Sequence, residues 1–280
     1  MPQWAACAAT RFPAPIGGLL GACAPGKLGT VLRMREMVHL RQDSFRAFMR
    51  EADQVIAVCS WVRELLLLNG VPERKLTLCR QGLAQEMPSS SGVDQESATP
   101  GTLRVAFLGR MHPSKGVHLL IRALRETPAL RVKLDLYGVR QDETDWDYER
   151  RLRELAGEDP RISFRVQQER SQVIGHLRGY DLLAVPSQVL ETGPLVVLEA
   201  FAAGLPVLGS RLGGIAELVR DGEDGFLVDP GFPEQWSKQL SRLTADPTLL
   251  RKLREGVRPP RRMEEVAAEM AKLYRAGQRG

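Results

Sequence analysis

The sequence predicts an α/β protein built on a doubly wound parallel sheet, with a partial α/β region ahead of it. From about Leu103 onward, short apolar runs alternate with longer segments of helical period. Glycine-containing loops separate them and allow the chain to turn tightly after each strand. Helices that join parallel strands form right-handed crossovers, and ligands of such sheets lie in the loops that follow the strands. A binding site is therefore expected in those loops.

Ahead of the sheet, the sequence predicts a few elements and then a linker. Ser60 is suited to cap a helix, and Asn69-Gly70 is suited to end it in a left-handed conformation. Residues 87–102 are polar, which predicts a linker and divides the chain into a partial domain with linker over 1–99 and a main domain over 100–280. The elements expected before the linker are a helix over 31–52, a strand over 54–58, a helix over 61–68 and a strand over 75–79.

Beyond the linker, strands and helices alternate to the end of the sheet. The strands are expected over 103–108, 132–137, 162–166, 182–185, 206–209 and 225–228. The helices between them are expected over 116–125, 146–156, 171–179, 194–203 and 215–219, and three more helices complete the chain.

Composition limits the classes of function. The 280 residues carry a net charge of +5, with side chains of both signs interspersed. This charge favours an anionic partner such as a phosphorylated ligand or acidic lipid, and a solvated mixed surface explains it equally well. No nucleic-acid partner is expected, because neither a basic stripe nor an aromatic platform accompanies the charge.

The cysteines and the apolar runs indicate a cytoplasmic protein. Cys7, Cys23, Cys59 and Cys79 show no C-x-x-C spacing and no nearby histidine cluster. Neither a zinc site nor a disulfide framework is therefore expected. No run reaches the ~20 apolar residues that a membrane-spanning helix needs.

The first loop with chemistry follows the strand over 103–108. Gly109 lets the backbone leave the strand, and Arg110 and Lys115 place two cations before the helix expected from Gly116. Helix amides together with such cations are typical of a diphosphate site. The loop is neither a Walker P-loop nor a Rossmann glycine motif, and taken alone a solvated basic turn explains it equally well.

The second loop, over 186–200, carries Glu191 and, in the second turn of an apolar helix, Glu199. A carboxylate among apolar side chains needs a partner when it is buried, and ligand hydroxyls can be that partner. The amides at the start of the helix, near Pro194, present the positive end of its dipole. On spacing alone, the slightly better interpretation is that one glutamate caps a helix and the other lies on the surface.

A third group of loops contains Gly213-Gly214 with Glu217, and the D-G-x-x-G run over 221–225. Paired glycines permit a backbone to approach a ligand closely, and D-G-x-x-G marks a turn into a strand. By themselves, these motifs predict turns.

Together, the order and spacing of these loops resemble the carboxyl-terminal domain of glycosyltransferase family four, whose members have the GT-B fold. That family reads G-R-x-x-x-x-K-G, then P-S-x-x-x-E with a second glutamate eight positions later, then G-G-x-x-E and D-G-x-x-G. The likeness covers about 103–229 and includes both glutamates. It implies a Rossmann-like domain that binds a nucleotide-diphosphate-sugar donor. It also implies transfer with retention of configuration, generally without a divalent metal or another cofactor.

The resemblance also implies roles for individual residues. Glu191 would be the catalytic residue and would hold hydroxyls of the transferred sugar, while Glu199 would accept hydrogen bonds from the ribose. The donor diphosphate would be bound by Arg110, Lys115, Gly193, Pro194 and Leu195. The base would lie near Gly138, Arg165 and Val166.

Asp145-Trp146-Asp147 is similar to the D-x-D metal motif of other glycosyltransferases. Acidic side chains near the start of a helix explain this run more simply, because they favour the positive end of the dipole. No metal site is therefore expected.

The resemblance is partial over the first hundred residues. Residues 44–84 resemble only the last part of an acceptor domain, so 1–99 is interpreted as a truncated acceptor-side domain. The favoured hypothesis is a glycosyltransferase of polysaccharide biosynthesis that acts on a glycan or lipid-linked acceptor. The alternative is a non-catalytic nucleotide-sugar-binding fragment or subunit. The incomplete region also predicts an oligomer, or peripheral contact with an anionic membrane.

Overall fold

The computed structural model describes residues 26–84, 101–167 and 169–277, which fall into two compact units. The first unit comprises the chain up to Val55 together with a second segment, Val71–Leu76. The second comprises Ile56–Gly70 and the chain from Thr77 onward. Most of the linker predicted over 87–102 lies outside the described residues, and the boundary between residues 99 and 100 stays a prediction.

The described part of the first unit consists mainly of helix α1 (Gly26–Glu51), which confirms the helix predicted over 31–52. Lys75 lies at the carboxyl end of this helix. Its Nζ donates hydrogen bonds to the carbonyls of Met49, Arg50 and Ala52, at 3.2, 2.9 and 2.7 Å. A cation at this position satisfies carbonyls that lack partners within the helix, and it stabilises the negative end of the helix dipole.

Strands β1 (Val55–Ala57) and β2 (Leu76–Leu78) pair in a two-stranded sheet, and helix α2 (Ser60–Leu68) follows β1. The cap predicted at Ser60 is wrong. The N-cap is Cys59, which makes no side-chain hydrogen bond to the helix. A glutamate distant in sequence binds the first amides instead, as described below. Gly70 has a φ of +83°, so the predicted left-handed end of α2 is confirmed.

The second unit is built on a six-stranded parallel sheet. Its strands are β3 (Leu103–Arg110), β4 (Val132–Val139), β5 (Ile162–Arg165), β6 (Leu182–Val185), β7 (Val207–Ser210) and β8 (Gly225–Val228). Its crossover helices are α3 (Val117–Arg125), α4 (Glu143–Ala156), α5 (Val173–Leu177), α6 (Leu195–Ala202) and α7 (Gly213–Leu218). The strand order is β5-β4-β3-β6-β7-β8, which reverses between β3 and β6. This is the switch point of a doubly wound sheet, and the predicted fold class is confirmed.

Both faces of the sheet are covered, as the central strand β3 shows. Val105 and Phe107 belong to one buried cluster, and Ala106 belongs to the cluster on the opposite face. A parallel sheet covered on both sides needs apolar residues at nearly every strand position, which is why short apolar runs predict these strands. Burial of Phe107 alone contributes roughly 1.5–3 kcal/mol of hydrophobic stabilisation.

Three helices complete the chain, as predicted: α8 (Pro233–Ala245), α9 (Pro247–Gly256) and α10 (Met263–Gly277). Leu83 contacts the segment at the start of α10, so it links an early part of the second unit to the carboxyl-terminal helices. Its amide donates to the Arg261 carbonyl at 2.8 Å, and its carbonyl accepts from the Met263 amide at 3.0 Å. Within the described residues, no helix combines the length and the apolar character needed to cross a membrane.

Candidate functional site

A cavity of about 360 Å³ opens at the carboxyl ends of β3 and β4, beside the switch point. Its volume is typical of a site for a small molecule. The two strands contribute Leu108, Gly109, Tyr137 and Val139, and α6 contributes Leu195, Val196 and Glu199. Leu195 and Glu199 are thus the predicted site residues that line this cavity.

Glu199 is a partly buried carboxylate in the second turn of α6. The other residues of this helix are apolar, and burial raises the pKa of the Glu199 carboxyl, an effect that the positive charge of Arg170 partly offsets. Because a desolvated carboxylate is stabilised by hydrogen-bond donors, Glu199 is suited to accept hydroxyl groups from a molecule in the cavity. The interpretation as an ordinary surface glutamate does not fit this position.

Glu191, by contrast, is already paired. Its Oε1 accepts hydrogen bonds from Lys115 Nζ at 2.5 Å and from Ser187 Oγ at 2.7 Å. The Lys115 and Glu191 side chains are 30% and 17% exposed, so the pair remains within reach of solvent and ligands. The structure therefore brings together two residues to which the family resemblance gives roles at the diphosphate and at the sugar.

Gly116 allows the two loops that carry this pair to meet. Its φ is +69°, so the helix predicted from residue 116 begins one residue later. A Cβ at this position would lie 2.0 Å from the carbonyl oxygen of Pro186. Next to this contact, the Gln188 amide donates to the Ser114 carbonyl at 2.7 Å. A side chain at residue 116 would push the two loops apart.

Arg110 is bound by two aspartates at the start of α4. Its Nε donates to Asp145 Oδ2 at 2.6 Å, and its Nη2 pairs with Asp142. Asp145 is fully buried and also accepts the Gln141 amide at 2.8 Å. Two carboxylates thus outweigh the single positive charge of Arg110, which lowers its attraction for a further anion.

The D-x-D run serves the start of α4. Asp142 is the N-cap, and its side chain accepts the Asp145 amide at 3.2 Å. Asp145 pairs with Arg110, whereas Asp147 pairs with Arg150 at 2.6 Å. The two aspartates of the run therefore bind different arginines, in agreement with the prediction that they belong to a helix start.

The start of α6 is close to the predicted diphosphate site. Pro194 is its N-cap and, as a proline, offers no N–H, while the Val197 amide donates to the Pro194 carbonyl at 3.0 Å, so the amide donors at this helix end belong to Leu195 and Val196. Gly193 packs against Gln81, whose Oε1 would lie 2.2 Å from a Cβ at residue 193. The missing side chain at Gly193 therefore leaves room for Gln81 to pack directly on the backbone.

The residues predicted to bind the base lie near the ends of the neighbouring strands β4 and β5, where Tyr137 pairs with Arg165, and they are not among the residues that line the cavity. Gly138 is covered by Met111, whose Cε would be 2.4 Å from a Cβ added there. Arg165 donates to Asp135 Oδ1 at 2.8 Å, and Val166 is 84% exposed. The cavity is lined instead by the next part of that loop, at Gln167 and Arg170.

A hydrogen-bond network fixes the β4 side of the cavity. The Tyr137 hydroxyl lies 2.6 Å from the Tyr180 hydroxyl and 2.6 Å from His176 Nε2. Tyr180 in turn donates to Asp135 Oδ2 at 2.8 Å. Burial raises the pKa of Tyr137, so its hydroxyl stays protonated at neutral pH. These hydrogen bonds restrict the orientation of the Tyr137 side chain that lines the cavity.

The paired glycines Gly213 and Gly214, from the third group of loops, contact the second loop at Glu191. A Cβ on Gly213 or Gly214 would lie 2.8 Å from the Glu191 carbonyl oxygen, and the Gly214 amide donates to that oxygen at 2.6 Å. Further along α7, Glu217 caps α2: its two carboxylate oxygens accept the Ser60 and Trp61 amides, each at 2.8 Å. The paired glycines are therefore a site of close contact between two parts of the backbone.

Comparison with known proteins identifies the family. The family model described as "Glycosyl transferases group 1" matches residues 94–258, more than half of the chain. The chain belongs to this family. Among its curated relatives, the D-inositol 3-phosphate glycosyltransferase of Corynebacterium glutamicum is 31% identical over 210 residues, which are 66% of this chain and 50% of that protein. The enzyme of the same name from Rhodococcus erythropolis is 33% identical over 205 residues, 71% of this chain and 44% of that protein.

This group 1 chain thus spans about half the length of the curated relatives it matches. Solved structures share its fold. Anabaena HepE in complex with UDP superposes with a TM-score of 0.71 at 20% identity, covering 84% of this chain and 68% of that one. Sucrose-phosphate synthase from Thermosynechococcus elongatus gives 0.70 at 25% identity, covering 92% and 65%. With the strand order, these likenesses confirm the predicted Rossmann-like GT-B fold.

Sequence reasoning missed three residues of this group 1 site. Gln167 and Arg170 line the cavity from the segment after β5, which ends at Arg165, one residue before its predicted end. Glu217 was noted only as part of G-G-x-x-E, and its contact with α2 joins residues 156 and 157 positions apart. The motif was the available signal, since a glutamate one turn into a glycine-started helix can reach a neighbouring helix end.

Proposed function

We propose that the chain binds a nucleotide-diphosphate-sugar and forms the donor-binding part of a retaining glycosyltransferase. Its acceptor would be a glycan or a lipid-linked sugar. The observation that carries the proposal is the position of Glu199, a desolvated carboxylate in the wall of a cavity at the switch point of the sheet. Membership of the group 1 family supports the same conclusion.

In the proposed complex, the nucleoside occupies the cavity and the diphosphate lies towards the start of α6. Glu199 accepts the ribose hydroxyls, and the apolar side chains of β3 and β4 contact the nucleoside. The Leu195 and Val196 amides and the Lys115 ammonium stabilise charge on the leaving diphosphate. Glu191 then binds the transferred sugar as its catalytic contact.

The diphosphate must compete with carboxylates of this chain for the two cations that are predicted to bind it. Lys115 is paired with Glu191, and Arg110 is paired with Asp142 and Asp145. Exchange is easier at Lys115, because it gives up one carboxylate of a partly exposed pair, whereas Arg110 is bound to a fully buried one. We therefore assign the larger share of diphosphate binding to Lys115.

The reaction is proposed to need no divalent metal, since fixed cations and helix amides can neutralise the leaving group. The carboxylates of the D-x-D run support this, because Asp145 and Asp147 are bound by arginines.

Calorimetric titration of the purified chain with UDP, GDP and ADP, and with their glucose conjugates, tests the proposal. UDP and UDP-glucose are the first probes, because Anabaena HepE was solved with each of them. We expect saturable binding of one nucleotide series, unchanged by EDTA. Binding of none of them by a chain with a cooperative unfolding transition would contradict the proposed function.

A second candidate is a chain that binds the donor without transferring the sugar. The coverage of 44–50% of the relatives' length keeps this candidate open. Turnover with a panel of glycan and lipid-linked acceptors separates the two, because the second candidate predicts donor binding with neither transfer nor donor hydrolysis. Cytoplasmic location, oligomer formation and peripheral membrane contact stay predictions.

A further inference from the structure

Glu191 is held by its backbone as well as by its side chain. Its carbonyl oxygen accepts two hydrogen bonds, from the indole Nε1 of Trp61 at 2.9 Å and from the Gly214 amide at 2.6 Å. The two donors come from different helices, since Trp61 is the second residue of α2 and Gly214 the second of α7. The residue assigned to the sugar therefore depends on α2 for its position.

The start of α2 is itself fixed to α7. The Ser60 and Trp61 amides donate to Glu217, and Arg80 Nη2 donates to the Ser60 hydroxyl at 2.8 Å. These contacts close a ring that runs from α2 through Glu217 and α7 to Glu191, and back through the Trp61 indole to α2. A closed ring restricts the loop more than a single contact does, because each element is held at two points.

A second contact reaches the same loop from the same region of sequence. Gln81 packs on Gly193, so closely that a side chain at residue 193 would collide with it. Residues before position 85 thus contact the Glu191 loop at two places two residues apart. All of these residues belong to one compact unit, which comprises Ile56–Gly70 and the chain from Thr77 onward.

We propose that Trp61 is a positioning residue. It fixes the position of the Glu191 loop through its hydrogen bond to the Glu191 carbonyl. The inference rests on the proposed function, because it takes Glu191 to bind the transferred sugar. The ribose contact at Glu199 lies in α6, whose residues are held by helix hydrogen bonds of their own. Loss of the Trp61 bond should therefore affect the sugar more than the nucleotide.

The test is Trp61→Phe, which removes the indole N–H and keeps an aromatic ring in its place. Trp146→Phe is the matched control, because Trp146 is 59% exposed on α4 and contacts Arg140. Hydrogen exchange of the Gln188 and Gly214 amides reports on the loop directly, since each donates to a carbonyl of a neighbouring loop. Titration with UDP and with UDP-glucose reports on binding.

We expect exchange of these two amides to become about fivefold faster in Trp61→Phe, the factor that one lost hydrogen bond corresponds to. UDP-glucose should bind about fivefold more weakly while UDP binds as before. The unfolding free energy should fall below that of Trp146→Phe by no more than one lost hydrogen bond corresponds to. Unchanged exchange, or equal losses for UDP and UDP-glucose, would overturn the positioning role.

The two measurements also separate this inference from the proposed function. If the wild-type chain binds neither probe, a uridine donor is contradicted. The exchange rates then decide alone: faster exchange supports the role of Trp61 in setting the loop, and unchanged exchange removes it.

Discussion

Glu191 and Glu199 stand eight positions apart, yet their surroundings differ. The Glu191 carboxylate is bound by Lys115 and Ser187, and its carbonyl by two further donors. Glu199 lies in a cavity wall, where burial raises its pKa. A carboxylate that is already bonded can reach a ligand only by exchange, whereas a desolvated one gains stabilisation when hydroxyls reach it. The nucleoside end of the donor should therefore contribute most of the binding energy, and the sugar end most of the selectivity.

Both predicted cations resemble Glu191 in being bonded already. Arg110 and Lys115 are neutralised by carboxylates of this chain. The net charge of +5 is therefore not concentrated at the predicted diphosphate loop. Long-range attraction of the donor is weaker than two unpaired cations would provide, and specific contacts matter more.

The largest expected effect is that of Glu199→Ala on donor binding. Loss of hydrogen bonds between a carboxylate and ribose hydroxyls should weaken binding by about 1–3 kcal/mol, or roughly 5- to 150-fold. UDP and UDP-glucose should lose affinity equally, because both contain the ribose. Calorimetry checks this, with Glu255→Ala on the exposed face of α9 as the control. Unchanged affinity in a folded Glu199→Ala chain would remove the ribose role.

Donor affinity should also depend on pH through Glu199. Burial raises the pKa of this carboxyl above its ordinary 4.5, and Arg170 offsets part of the rise. The ionised form accepts hydroxyls best, so affinity should fall as the pH is lowered through the raised pKa, up to about tenfold per unit within that range. Titrations at several pH values check this in a range where the chain stays folded. A profile in Glu199→Gln that still falls in the same range would assign the titration to another group.

The sheet could be predicted because its signal is local. Strand β6 and strand β8 have the predicted bounds, since each is a four-residue apolar run bounded by polar or glycine-rich turns. The predicted loops do meet, at Gly116 and Pro186, because parallel strands end at the same edge of a sheet.

The rest depends on contacts between distant residues. The partners of Arg110 lie 32 and 35 positions away, and those of Glu217 lie 156 and 157 positions away. The sequence around Ser60 does not show that a glutamate in α7 replaces it as the cap of α2, and the G-G-x-x-E motif does not name the helix that Glu217 reaches. The base-binding role of Gly138, Arg165 and Val166 stays a prediction, and the loop after β5 lines the cavity only from Gln167, beyond Arg165 and Val166.

An intermediate effect is expected for Glu217→Gln on stability. One amide nitrogen would replace a carboxylate oxygen that accepts a helix amide, and the charge at the positive end of α2 would be lost. Removal of such a cap costs about 0.5–2 kcal/mol of unfolding free energy. Denaturant unfolding measures it, with Glu255→Gln as the control.

The pH dependence of this difference tests its cause. Although burial alone would raise it, the amide hydrogen bonds from Ser60 and Trp61 hold the pKa of Glu217 below its ordinary 4.5. A lowered carboxyl pKa contributes stability above the ordinary value, and that stability is lost as the pH falls through the native pKa. The difference between wild type and Glu217→Gln should thus be full at pH 7 and shrink below pH 4.5. A difference that is constant with pH would point to packing instead.

The smallest effect is expected for Glu191→Gln, and it should differ between UDP and UDP-glucose. The amide oxygen can still accept from Ser187, but the charge that pairs with Lys115 is removed. A partly exposed pair of this kind is worth about 0.2–1 kcal/mol, so UDP should bind up to about fivefold more tightly once Lys115 is released. UDP-glucose should not share this gain, because the carboxylate that receives the sugar hydroxyls is lost. Parallel titrations of the two ligands check the prediction. Weaker binding of UDP itself would mean that Glu191 supports the diphosphate site. The assignment of Glu191 to the sugar and of Glu199 to the nucleoside would then be wrong.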